Sequence, residues 1–137
     1  MFTKIPLQTP PNETLVNITD QVNAAVQASG VKEGVCFLFV PHTTAGLTVN
    51  SAVDPNTSLD ILSELRRLVP TRVDFHHTFD TPADAAGHIK STLVGVSVML
   101  MVSEGRLLLG GSQSVLFCEF DGPRAREVWV RVIADLS

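Results

Sequence analysis

Apolar and polar positions change period several times along the chain. "FTKIPLQT" (residues 2–9) reads as a first strand, and "TPPNET" after it as a turn. "TDQVNAAVQASG" opens on Thr19 as its cap and closes on Gly30, which predicts a short helix. "GVCFLFVP" (34–41) is apolar on both faces and reads as a covered central strand, and "GLTVNS" (46–51) as another strand. "DPNTSLDILSELRRLVP" (54–70) is the best helix. Asp54 caps it, Pro55 takes the first helical position, and Leu59, Ile61, Leu62, Leu65, Leu68 and Val69 form one broad stripe opposite Asp60 and Glu64. A further helix opens at "TPAD": Thr81 caps, Pro82 follows, and Asp84 completes a capping box. Gly87 inside it costs about 1 kcal/mol against alanine, which predicts that something packs closely there.

From Gly95 onward the period becomes that of strands. "VSVMLMV" and "RLLLG" flank the turn "SEG"; "SQSVLFCEFDG" and "REVWVRVIAD" follow, separated by "GPRA". Helices early and a four-stranded meander late predict an α+β fold: one compact domain over residues 1–137, with a mainly antiparallel sheet and two to three helices.

Composition narrows the function classes. The 137 residues are 45% hydrophobic and 18% charged, enough for a real core and more apolar than a monomer needs, which points weakly to an oligomer. A net charge of −4 without a basic tract argues against nucleic acid as partner. "MFTKIPLQTPPNE" lacks the apolar core of a signal peptide, and the longest apolar run, "LVGVSVMLMV", is about half of a membrane span. Cys36 and Cys118 lie in apolar strands and read as buried reduced thiols without zinc-ribbon spacing. The expectation is a cytoplasmic protein with no membrane partner.

The chain has four histidines, and three of them, His76, His77 and His88, fall within "DFHHTFDTPADAAGHIK" (74–90). His42 follows Pro41 at the end of a strand, His77 lies in a loop and His88 in a helix. Three elements can present imidazoles to one metal ion and leave a position open. The competing reading is a hydrogen-bonded core histidine at 88 and a surface pair at 76–77. His76 and His77 point in different directions, so one of them at most is a ligand, and residue chemistry does not choose between them. Asp84, four residues before His88, either orients that imidazole or only serves the capping box.

Polar residues at strand ends add further candidates. Thr43 and Thr44 could hold an anion at the bend after His42, or satisfy their own turn. Gln113 and Glu119 share a strand face with Val115 and Phe117, which fits a polar cavity at the sheet surface. Arg124 and Arg126 could grip phosphate, or pair with Glu119, Asp121 or Glu127. Lys90 lies about 200° round the helix from His88. It reads as a solvated surface lysine, with ligand binding as the lesser alternative.

"HTTAGLTVN", His77, "GHIK", "LVGVSV", "GRLLLG", Gln113 and "EFDGPRAR" occur in an order and spacing that resemble the YjbQ-like family, also known as the secondary thiamine-phosphate synthase family, over nearly the whole chain. The resemblance implies a compact α+β fold assembled as a homotrimer, with a site near the subunit boundary. It implies a three-histidine site for a divalent metal, zinc by its ligands: His42 from "HTTAG", His77 from an aromatic–x–His motif, and His88 from "GHIK". It matches the family's aspartates to Asp54 and Asp60 and its glutamine to Gln113. The chain departs from the family's pattern at Ser51, where glutamate is common, at Gly111 and Ser112, which replace Thr-Trp, and at Gly87, where alanine is usual. A lost tryptophan removes an apolar wall and widens the pocket or changes its substrate.

The implied reaction joins a pyrimidine diphosphate to a thiazole phosphate, with Thr43, Thr44, Lys90, Arg124 and Arg126 as phosphate-binding candidates and Asp54, Gln113 and Glu119 as catalytic ones. Two rivals remain: metal-assisted hydrolysis of a small ester or phosphoester, with Asp54 or Glu119 as base, and a metal- or metabolite-binding trimer without turnover.

Overall fold

The computed structural model describes residues 2–136. Its strands and helices follow one another as β1 (Phe2–Gln8), β2 (Asn12–Asn17), α1 (Thr19–Ser29), β3 (Gly34–Phe39), β4 (Ala45–Ser51), α2 (Pro55–Leu68), α3 (Pro82–Val94), β5 (Ser97–Ser103), β6 (Arg106–Leu107), β7 (Gln113–Gly122) and β8 (Ala125–Ala134). All strand pairs are antiparallel, as the α+β reading predicts. They form two sheets, ordered β1-β8-β3-β5-β6 and β2-β7-β4.

The alternation of side chains explains the layering. Along β8, Val128, Val130 and Val132 are buried while Arg131 and Ile133 are exposed. These valines meet Cys36 and Leu38 of β3, Ala45 and Leu47 of β4, and Val115 and Phe117 of β7 in one core between the sheets. Val22, Ala25 and Val26 of α1 join that core. β7 is buried on its second face too, through Leu116, Cys118 and Phe120. That face is where α3 packs, while α2 lies on β2.

The helix signals in the sequence translate closely. Asp54 Oδ1 accepts from the Asn56 amide at 2.9 Å, and Thr81 Oγ1 from the Asp84 amide at 3.1 Å. Gly30 ends α1 with φ of 75°, the left-handed region glycine enters without strain. Thr19 is not the cap of α1: the Asn17 carboxamide accepts from the Thr19 amide at 3.1 Å and from its hydroxyl at 2.6 Å. Gly87 is explained by close packing, because a Cβ there would lie 3.2 Å from the side chain of Thr44.

Two strand expectations fail. β2 lies where the sequence reads as turn and unassigned chain. Its side chains are mostly half-buried, so no clean two-residue period marks it. The four C-terminal segments are not a meander. β5 and the two-residue β6 form a hairpin, but β7 crosses to the other sheet and β8 returns between β1 and β3.

The outer face of the larger sheet stays apolar. Phe37 pairs with Met99, and Val35 with both Met101 and Ile133, so these side chains share one face. Phe37, Met99, Met101 and Ile133 are all exposed. Cys36 and Cys118 are free and buried, and burial pushes their thiols up to about 11 and about 12. Among the described residues no helix is long and apolar enough to cross a membrane.

Candidate metal centre

His77 sits in the loop before α3, and Asp84 and His88 are one turn apart on that helix. The i, i+4 spacing places both side chains on one face, and the loop folds back over it. Asp84 Oδ2 lies 2.9 Å from His77 Nε2 and 3.2 Å from His88 Nε2. The two rings meet edge to face with centroids 5.0 Å apart. All three ligand atoms fall within 4.8 Å of one another.

Asp84 is buried whereas the two imidazoles are half-exposed, so the carboxylate forms the floor and the rings form the mouth. Burial pushes the Asp84 carboxyl up, but the hydrogen bonds and charges of His77 and His88 outweigh it and hold it below its ordinary value of 3.8. The carboxylate does not close a capping box. Asp80 Oδ1 takes the Thr81 amide instead, at 2.9 Å.

Arg124 borders the cluster. Its Nη2 lies 3.9 Å from Asp84 Oδ1 and from Asp80 Oδ2, while Asp121 holds it at 2.8 Å. His88 separates two open pockets. One of about 590 Å³ runs along Phe39, His42, Thr43 and Thr92; the other, of about 390 Å³, along Phe75, His76, His77 and Ile89.

Behind the cluster lies a buried ion pair. Glu119 continues the inward face of β7, and Arg126 that of β8, so they meet at the end of the core between the sheets. The Arg126 Nε donates to Glu119 Oε1 at 2.8 Å and its Nη2 to Oε2 at 2.5 Å. Thr9 Oγ1 donates to Glu119 at 2.6 Å, the Asp121 amide donates at 2.9 Å, and Arg126 also donates to Thr44 Oγ1 at 2.8 Å. Burial pushes the Glu119 carboxyl up, but these donors more than offset it and hold it below its ordinary 4.5.

A family model described as UPF0047 protein YjbQ-like matches residues 3–135. The chain belongs to this family. It is 43% identical over 135 residues to a UPF0047 protein of Methanocaldococcus jannaschii, across 98% of this chain and 96% of that one. It is 35% identical over 135 residues to the UPF0047 protein YugU of Bacillus subtilis, across 97% and 99%. A solved YbjQ-like protein of unknown function from Sulfolobus solfataricus superimposes with a TM-score of 0.92 at 32% identity, across 98% of this chain and 97% of that one. A conserved hypothetical protein of Thermus thermophilus does so with 0.85 at 44%, across 96% and 99%.

In this YjbQ-like chain the sequence-predicted residues fall into separate groups. His77 and His88 converge, and His76 stays outside their cluster. The third ligand atom of that cluster comes from Asp84, not from His42, whose Nε2 accepts from the Glu127 amide at 2.9 Å. Burial and the Arg126 charge lower the pKa of His42 below 6.5 against the pull of Glu119 and Glu127. Thr43 is exposed on a pocket wall, but Thr44 is buried under Arg126.

Five residue assignments are corrected. Glu119 is not a base at a polar cavity, because it is 0% exposed and its oxygens are filled by donors. Arg126 is not a phosphate grip, because Glu119 and Thr44 take its guanidinium. Lys90 is neither a solvated lysine nor a ligand contact: it is 1% exposed and its Nζ donates to Glu13 Oε2 at 2.6 Å. Asp54 and Gln113 belong to the far end of the smaller sheet. Ser51 pairs with Gln113 at the start of the ten-residue β7, about 20–30 Å along the strand from Arg124. There Asp54 caps α2 and Gln113 Oε1 accepts from the Gly110 amide at 2.8 Å.

Sequence reasoning missed Thr9 and Glu13, which lie in or beside a predicted turn and carry no motif. It underweighted Asp84, whose spacing from His88 was the available signal.

Proposed function

We propose that this chain is a metal-dependent enzyme of small phosphorylated molecules, and that phosphoester hydrolysis is its reaction. The observation that carries the reading is the convergence of His77 Nε2, His88 Nε2 and Asp84 Oδ2 beside the Arg124 guanidinium. Two imidazoles and a carboxylate form a donor set that suits zinc and leaves a fourth position open. Zinc bonds of about 2.0–2.1 Å space tetrahedral ligand atoms about 3.3 Å apart, so the two carboxylate–imidazole separations of 2.9 and 3.2 Å need only a slight expansion, and no pair of ligand atoms lies more than 4.8 Å apart. Both imidazoles meet one carboxylate oxygen, and a cation would replace the protons they share there.

A divalent ion in this set would supply Lewis acidity and activate water at neutral pH. Asp84 anchors the set from the buried side, and Arg124 neutralises ligand charge from the exposed side. Hydrolysis of a monoester is favoured over condensation with loss of pyrophosphate by the fate of the cations. Arg126 and Lys90 are buried in ion pairs, which leaves Arg124 as the cation among the sequence candidates that borders the cluster.

Elemental analysis of untreated protein is expected to find about one transition metal per chain, and the protein to cleave a chromogenic phosphomonoester until chelated. Protein that stays metal-free after zinc loading defeats the reading. Thiamine phosphate formed from its two precursors, without ester cleavage, moves the reaction to transfer.

The homotrimer belongs to the same proposal, as does a cytoplasmic location, which the two free buried thiols support. The exposed row of Phe37, Met99, Met101 and Ile133 supports self-association. Light scattering is expected to report three chains; a monomer at micromolar concentration removes this part.

A further inference from the structure

The β3–β8 ladder ends with Phe39 opposite Trp129. Glu127, two residues nearer the turn in β8, has no β3 residue opposite it. The chain leaves the sheet at Val40 and Pro41, and the imidazole of His42 takes the place of the missing strand. Its Nε2 accepts from the Glu127 amide at 2.9 Å. A backbone amide is a permanent donor, so that nitrogen carries a lone pair and the ring proton sits on Nδ1. Glu127 is held in turn, because Trp129 Nε1 donates to its Oε2 at 2.7 Å.

No protein acceptor meets Nδ1 among the described residues, and every buried side-chain polar atom among them has a partner. The Nδ1–H is therefore accessible. The residue lines a pocket of about 410 Å³ with Gln8 and Arg126, and also the pocket of about 590 Å³ that it shares with His88 and the exposed Thr43. Coordination of a metal through Nε2 would leave the Glu127 amide without its acceptor.

We propose that His42 is a neutral hydrogen-bond donor, through Nδ1–H, to the phosphate group of the ligand that occupies this pocket, and not a third metal ligand. The proposal rests on the phosphate-site reading above. It adds a recognition element to the pocket that His42 shares with His88 and Thr43. Its strength is that of one neutral donor, so it tunes ligand affinity and leaves metal affinity alone.

Long-range 1H–15N spectra of the full chain with and without zinc test the tautomer directly and need no variant. Nδ1 of His42 is expected to stay protonated and Nε2 bare in both; a coordination shift at either nitrogen on zinc addition overturns the proposal. Inorganic phosphate is then titrated calorimetrically into zinc-loaded protein. His42→Ala is expected to keep zinc affinity within about threefold and to weaken phosphate binding about five- to tenfold, the range of one neutral hydrogen bond. His42→Gln, which carries both an acceptor and a donor, is expected to recover most of it. Unchanged phosphate affinity in His42→Ala shows a purely structural imidazole and also overturns the proposal. If the wild-type chain takes up no zinc, the metal reading fails separately, and the same spectra and phosphate titration on the metal-free chain still decide the role of His42.

Discussion

Glu119→Ala is expected to destabilise the fold by about 3–5 kcal/mol, because it leaves the Arg126 guanidinium charged, buried and without its carboxylate. The Thr9 hydroxyl and the Asp121 amide lose their acceptor in the same step. Against the 5–15 kcal/mol typical of a domain, this is a large fraction of the total. Urea denaturation should show it as a lower midpoint at unchanged slope. The paired variant Glu119→Leu with Arg126→Met removes both charges and is expected to regain most of the loss, since replacing a whole buried pair is often neutral. A single variant as stable as the parent would show that the pair contributes little. Acid acts on the same group. The folded state holds the Glu119 carboxyl below its ordinary 4.5, so its contribution is fully present above about pH 4.5 and is lost as pH falls below that toward the folded value.

On the proposed metal reading, loss of zinc binding is the second large effect expected. His77→Ala and His88→Ala are each expected to weaken zinc binding by more than about 100-fold in competition with a chromophoric chelator, while His76→Ala leaves it unchanged. Asp84→Asn separates two roles for the carboxylate. An outer partner that only orients the imidazoles is worth about 10–100-fold; a direct ligand is worth more. The 2.9 and 3.2 Å contacts are of hydrogen-bond length, so the size of the loss decides between the two roles. Equal losses in His76→Ala and His77→Ala would defeat the assignment of the loop ligand.

Part of this site was legible in advance. The Asp54 and Thr81 caps, the proline starts and the packing at Gly87 follow from residues a few positions apart. His88 and Asp84 share a helix face by spacing alone. His77 was separable from His76 only through the family resemblance, and the structure places it against Asp84. The pairing of Arg126 with Glu119 was legible as one alternative, but its burial and the role of Lys90 were not. A carboxylate or cation on a strand or helix face reads the same whether that face meets solvent or another charge.

What the sequence by itself determined are the local features: the caps at Asp54 and Thr81, the period of most strands, buried thiols, family membership and a mainly antiparallel α+β class. These depend on neighbours within one helical turn or one strand, or on the whole pattern at once. Only the tertiary structure decided which charges are available for chemistry. The Thr9–Glu119, Thr44–Arg126 and Glu13–Lys90 contacts join residues 110, 82 and 77 positions apart. No periodicity reaches that far, and the layer assignment of β7 and β8, which brings Glu119 to Arg126, follows from how two apolar faces are covered.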